Sequence, residues 1–152
     1  MASETRSGGD QPVIGRIAPC RIIDFPEHAD QRGRLTVIQP RQDVDFDVRR
    51  AFYLHDVRDG ASRGAHGHRE LIQLLIPVHG SFTVVADDGF QQATYVLDNP
   101  SRGLYVSPMV WCDVTEFAPG AVLLCLASEE YDEADYYRDY DEFRRAARSL
   151  AA

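Results

Sequence analysis

Gly60-Ala-Ser-Arg-Gly-Ala-His66-Gly-His68-Arg-Glu-Leu-Ile-Gln73-Leu-Leu-Ile-Pro-Val-His-Gly80 is the stretch that decides how this chain is read. Successive side chains of an extended segment alternate between two faces, so residues two apart share one. His66 and His68 therefore enter one cavity together. A lone histidine in a strand is more often a packing or surface residue than a catalyst, and His28, His55 and His79 take that reading. A His-x-His pair flanked by Gly64 and Gly67 is less easily set aside.

Outward from this stretch the chain is a series of short β-rich runs. Strands are expected at 21–24, 35–39, 50–55, 71–78, 81–86, 93–97, 103–107, 112–116 and 122–127. His79-Gly80, Asp87-Asp88-Gly89, Asp98-Asn99-Pro100 and Ala118-Pro119-Gly120 supply turn chemistry between them. Many short strands at this spacing suggest a sandwich or barrel. Only the end changes character. From Asp139 to Leu150, acids come first and arginines later, as a helix dipole favours. Tyr140, Phe143 and Ala147 form one narrow apolar stripe. The expectation is an all-β domain with a short C-terminal α-helix.

A chain of 152 residues suits one domain, expected over residues 13–152 behind a flexible polar tail at 1–12. No apolar run reaches the roughly 18 residues of a membrane span, and no signal peptide is evident. A net charge of −8 opposes nucleic-acid binding through a basic surface. All 16 basic residues are arginine, which excludes Schiff-base chemistry and a lysine base. Cys20, Cys112 and Cys125 are an odd number without C-x-x-C spacing. They read as free thiols, with Cys112 and Cys125 buried, and a cytoplasmic location is expected.

The spacing from Gly60 to Gly80 resembles the first cupin motif, in which metal-binding members carry Glu where this chain has Gln73. The second motif should lie at Gly103–Asp113, yet no histidine follows His79. Glu70 and Asp113 would complete an iron-type ligand set only by breaking the spacing. A metal-free site is therefore expected. Two imidazoles facing a cavity suit proton transfer near neutral pH, one as base and the other as acid.

Arg63-Gly-Ala-His66-Gly-His68-Arg-Glu-Leu-Ile-Gln73 further resembles the R-G-x-H-x-H-[KR]-x-L-x-Q signature of nucleotide-sugar 3,4-ketoisomerases. The resemblance continues through Gln31–Leu35, Arg50–Tyr53, Asp87–Gly89, Asn99–Leu104, Met109–Trp111, Leu126–Tyr131 and Asp135–Phe143. It implies a cupin-type double-stranded β-helix (jelly roll), a homodimer without cofactor, and a dTDP-linked 4-keto-6-deoxy sugar as substrate. By matched position His66 and His68 would be the acid/base pair and Tyr53 a third catalytic group. Arg63, Gln73, Arg32 and Trp111 would bind substrate. The chain departs from the pattern at Gly67, where Ala is common, and at Ala65, often bulkier; both imply a changed pocket volume. The alternatives are a dTDP-4-keto-sugar epimerase, a metal-dependent cupin oxygenase and a non-catalytic sugar-nucleotide-binding cupin.

Overall fold

Alternating burial along the strands sets the architecture: in Trp111–Thr115, Cys112 and Val114 are buried while Trp111, Asp113 and Thr115 are half-buried. In the computed structural model residues 13–14, 17 and 19–151 are described; the expected tail at 1–12 lies outside them. The strands are β1 (Val13–Ile14), β2 (Cys20–Asp24), β3 (Glu27–Asp30), β4 (Gly33–Thr36), β5 (Arg50–Leu54), β6 (Arg63–His68) and β7 (Gln73–His79). Then follow β8 (Phe82–Asp87), β9 (Gln92–Leu97), β10 (Arg102–Val106), β11 (Trp111–Thr115), β12 (Val122–Ala127) and β13 (Tyr136–Tyr137). Helix α1 (Tyr140–Leu150) ends the fold.

One sheet runs β1-β9-β8-β11-β6-β13 and the other β2-β10-β7-β12-β5, with β3–β4 as a separate hairpin. The strand pairs are antiparallel. From β7 onward the chain passes repeatedly between the sheets, the winding of a cupin jelly roll. Between the sheets lies a core in which Phe82, Val84, Leu97, Cys112 and Val114 of one meet Leu75, Leu104, Leu123 and Cys125 of the other. Burial pushes the Cys20 and Cys125 thiols up to about 12 and raises Cys112 as well; all three are free and buried.

The outer face of the second sheet is covered too. Val44 and Phe46, from the segment after β4, pack with Phe25 on Leu74, Ile76 and Tyr105. This is why β7 reads as a continuous apolar run rather than an alternating one. On the outer face of the first sheet, Asp139 caps α1 by accepting from the Glu142 N–H at 2.8 Å. The expected stripe is used: Phe143 and Ala147 are buried, and Tyr140 donates to Asp87 Oδ2 at 2.7 Å.

The expected strands at 21–24, 50–55, 81–86, 93–97, 103–107, 112–116 and 122–127 form, each within a residue or so of its expected bounds. The expected strand at 35–39 is instead the second arm of the β3–β4 hairpin and stops at Thr36. β7 begins at Gln73 rather than Leu71, because the Ile72 N–H turns aside to Ser128 Oγ at 2.9 Å. The two-residue β13 is too short to leave a periodic pattern.

Candidate active site

Cys112 points into the core, and His66 is its register partner on β6, so His66 shares that inner face. His68 follows two residues on, and the rings lie 5.0 Å apart at 86°. Tyr136 of β13 pairs with His68 and so joins the same face; its ring lies 5.0 Å from His66 and 4.3 Å from His68.

Each imidazole has its Nδ1 engaged. His66 Nδ1 lies 2.8 Å from the Gly64 carbonyl oxygen, which can only accept, so Nδ1 carries the proton. His68 Nδ1 lies 2.9 Å from Asp135 Oδ2 and donates to it. Asp135 is itself anchored, its Oδ1 accepting from the Glu70 N–H at 2.7 Å and its carbonyl from the Arg69 N–H at 2.9 Å. In both neutral rings the lone pair therefore sits on Nε2, the form of a general base. Burial lowers His66 below its usual value. It also lowers His68 to about 4, where the Asp135 hydrogen bond pulls the other way and the charges of His66 and Arg50 add to the lowering.

β6 carries a bulge. His66 faces Cys112, but Gly64 faces Asp113 and Arg63 faces Val114, leaving Ala65 unpaired with φ +51°. One extra residue reverses the side-chain parity, so Arg63 returns to the register of the histidines' face instead of the opposite one. On the second sheet Gln73 pairs with Val106 and Ala127, is buried on the inner face, and brings Oε1 to 3.8 Å from Cys125 Sγ. Arg50 pairs with the same Ala127. Its guanidinium lies 5.4 Å from the Phe52 ring and 5.6 Å from that of Tyr131. Beyond Tyr136, Arg138 sits 4.4 Å over its ring and grips Glu133 through 2.5 and 2.8 Å contacts, holding that carboxyl down to about 2.

Three expected site residues are not brought to the pair within this chain. Tyr53 pairs with Leu124 on the outer face of its sheet and is 64% exposed, its ring 5.6 Å from His55; the inward neighbour is Phe52, opposite Cys125. Trp111, one residue out of phase with Cys112, faces outward and packs at 5.5 Å on Tyr140 and 5.8 Å on Phe143. Arg32 lies in the β3–β4 turn, bonded to Asp30 at 2.6 Å with its side chain 90% exposed. Glu70 and Asp113 do not converge on the histidines either. Glu70 lies exposed beyond β6, and Asp113 is on the opposite face to Cys112.

Gly67 also proves to concern a different place. It pairs with Tyr137 on the outer face, where an added Cβ would lie 3.0 Å from Phe143 Cδ2 and 3.3 Å from the Val110 carbonyl oxygen. The small residue seats α1; it does not enlarge the histidines' cavity. Nothing local in the sequence marks Asp135, Tyr136 or Arg50 as a site residue. Their only signal was membership in matching segments, since parity in a two-residue strand cannot be read locally.

The chain matches the FdtA family (WxcM-like, C-terminal) over residues 18–148. It is 38% identical over 125 residues to a TDP-4-oxo-6-deoxy-alpha-D-glucose-3,4-oxoisomerase of Aneurinibacillus thermoaerophilus, covering 82% of this chain and 90% of the relative. This chain belongs to the sugar 3,4-ketoisomerase family. It is thus an isomerase. Its fold is similar to that of the 3,4-ketoisomerase QdtA of Thermoanaerobacterium thermosaccharolyticum, solved as a histidine-to-asparagine variant in complex with TDP-4-keto-6-deoxyglucose. The TM-score is 0.86 at 37% identity, over 88% of this chain and 97% of that one. The TDP-quinovose 3,4-ketoisomerase WlaRB of Campylobacter jejuni gives a TM-score of 0.82 at 38% identity, over 85% and 99%. Among the described residues no helix is long and apolar enough to cross a membrane.

Proposed function

We propose that this isomerase converts a dTDP-linked 4-keto-6-deoxyhexose to its 3-keto isomer for deoxyaminosugar biosynthesis. The observation that carries the reading is the pair of imidazoles, His68 buried and His66 half-buried, 5.0 Å apart, each with Nδ1–H tied to an acceptor and Nε2 left basic. One histidine removes the proton from C3. The C3–H electron pair forms the C3–C4 double bond, and the C4 carbonyl oxygen takes the charge of an enediolate. Collapse of the C3 hydroxyl to a carbonyl, with a proton delivered to C4 and one to the C4 oxygen, gives the product. C3 is oxidised and C4 reduced within one molecule, so the balance needs no external electron acceptor.

Arg63 and Gln73 are proposed to bind the substrate, from the histidines' register on β6 and from the facing sheet. The chain is further proposed to act as one cytoplasmic domain that pairs into a homodimer. Supporting the pairing, β5 is an edge strand that leaves Phe52 and Tyr53 exposed.

The test is incubation of the purified protein with dTDP-4-keto-6-deoxyglucose in deuterated water, with the product trapped by a 3-aminotransferase. A 3-amino sugar is expected from the native protein and none from His66→Asn or His68→Asn. Solvent deuterium entering the ring without migration of the carbonyl would make the protein an epimerase instead. Full activity in both variants would remove the histidines from the mechanism.

A further inference from the structure

Proton transfer by the histidines leaves one need unmet: the charge that develops on the C4 oxygen. Preorganised donors aimed at such an oxygen commonly supply a large part of a catalytic effect. On the sheet opposite the histidines, Arg50 is a cation of the inner face. Arg50 and Gln73 flank Ala127 on adjacent strands, so both project to the face that carries Leu75 and Cys125. The guanidinium rests against Phe52 and Tyr131, and Tyr131 lies 5.6 Å from Tyr136, which touches both imidazoles. Ring contacts hold a guanidinium without consuming its N–H groups. The Arg50 Nε atom is buried and meets no acceptor among the described residues. Arg21, Arg32, Arg34, Arg41, Arg49 and Arg138, by contrast, all sit against carboxylates. A buried N–H is costly unless an oxygen acceptor pairs with it, although the residue as a whole is half-buried.

We propose that Arg50 is a catalytic residue that donates to the C4 oxygen of the bound keto sugar and to the enediolate oxyanion formed from it. This rests on the ketoisomerase reading of the site. As the histidine takes the C3 proton, the carbonyl π pair moves onto the C4 oxygen, where the guanidinium N–H meets it. The oxygen then takes the proton released from the C3 hydroxyl, and the guanidinium stays charged throughout.

The experiment compares native protein, Arg50→Met and Arg50→Lys in steady-state turnover of dTDP-4-keto-6-deoxyglucose and in calorimetric binding of TDP. Arg50→Met is expected to lose about 10²–10³-fold in kcat while binding TDP within about threefold of native affinity. Arg50→Lys keeps the charge but not the fork, and is expected to lose roughly tenfold in kcat. In an Arg50→Ala protein, added guanidinium should restore part of kcat, which a structural role alone would not allow. Should Arg50→Met fail to fold by circular dichroism, the Arg50→Lys result decides alone. Native kcat in the folded variants overturns the proposal, as does lost TDP affinity with kcat intact, which would place the guanidinium on the diphosphate. A native protein that forms no 3-keto product overturns the ketoisomerase reading instead, and this proposal with it.

Discussion

His68 Nδ1 and Asp135 Oδ2 are 2.9 Å apart although 67 residues separate them in the chain. The carboxylate reaches the imidazole because β13 pairs with the end of β6, which sets Tyr136 opposite His68 and Asp135 just before it. A carboxylate at Nδ1 fixes the ring's orientation and tautomer and leaves Nε2 as the base.

Asp135→Asn keeps the shape but lets the amide N–H₂ donate to Nδ1, which moves the ring proton to Nε2. A loss of about 10²–10⁴-fold in kcat is expected, with KM little changed. Steady-state kinetics on dTDP-4-keto-6-deoxyglucose checks it. A loss confined to KM would assign Asp135 to substrate binding.

Stability should fall with acidification in a defined window. His68 is held down to about 4, whereas a histidine of the unfolded chain titrates near 6.5. Between those values the unfolded chain binds the extra proton, so folding weakens as pH drops from about 6.5 towards 4 and levels off below. The full effect is roughly 3 kcal/mol. His66, also lowered by burial, adds in the same direction. Urea unfolding at pH 7 and pH 4.5 measures it, and His68→Asn should flatten most of the dependence.

Tyr136 touches both imidazoles through its ring, so the ring rather than the hydroxyl should matter most. Tyr136→Phe is expected to keep the His68 titration near its native value in NMR. Tyr136→Ala admits water, weakens the desolvation that lowers His68, and should move its titration upward. Equal titrations in native and Ala proteins would count against this.

Gly67→Ala puts a methyl group 3.0 Å from Phe143 Cδ2 and should cost about 1–3 kcal/mol in stability. Phe143→Leu in the same chain should recover part of that loss, a non-additivity that a double-mutant cycle resolves. Simple additivity of the two changes would mean that the ring and the new methyl do not meet.

Tyr53→Phe should leave kcat within about twofold of native, because the side chain lies on the outer face of β5. A larger loss measured in the same assay would return Tyr53 to the mechanism.

The sequence by itself determined the alternation that puts His66 and His68 on one face, the period of most strands, the capped C-terminal helix and, through the matching segments, the family. Those are local patterns, readable wherever a segment is long enough to show its period. Which other residues share the histidines' face was decided only by tertiary pairing. Alternation gives relative parity within a strand, never its absolute sense, so Phe52 rather than Tyr53 turns inward only because β5 pairs with β12 as it does. A single unpaired residue at Ala65 reverses parity again for Arg63. A strand as short as β13 has no period of its own, and the pairing with β6 alone places Tyr136 inward and Asp135 behind His68.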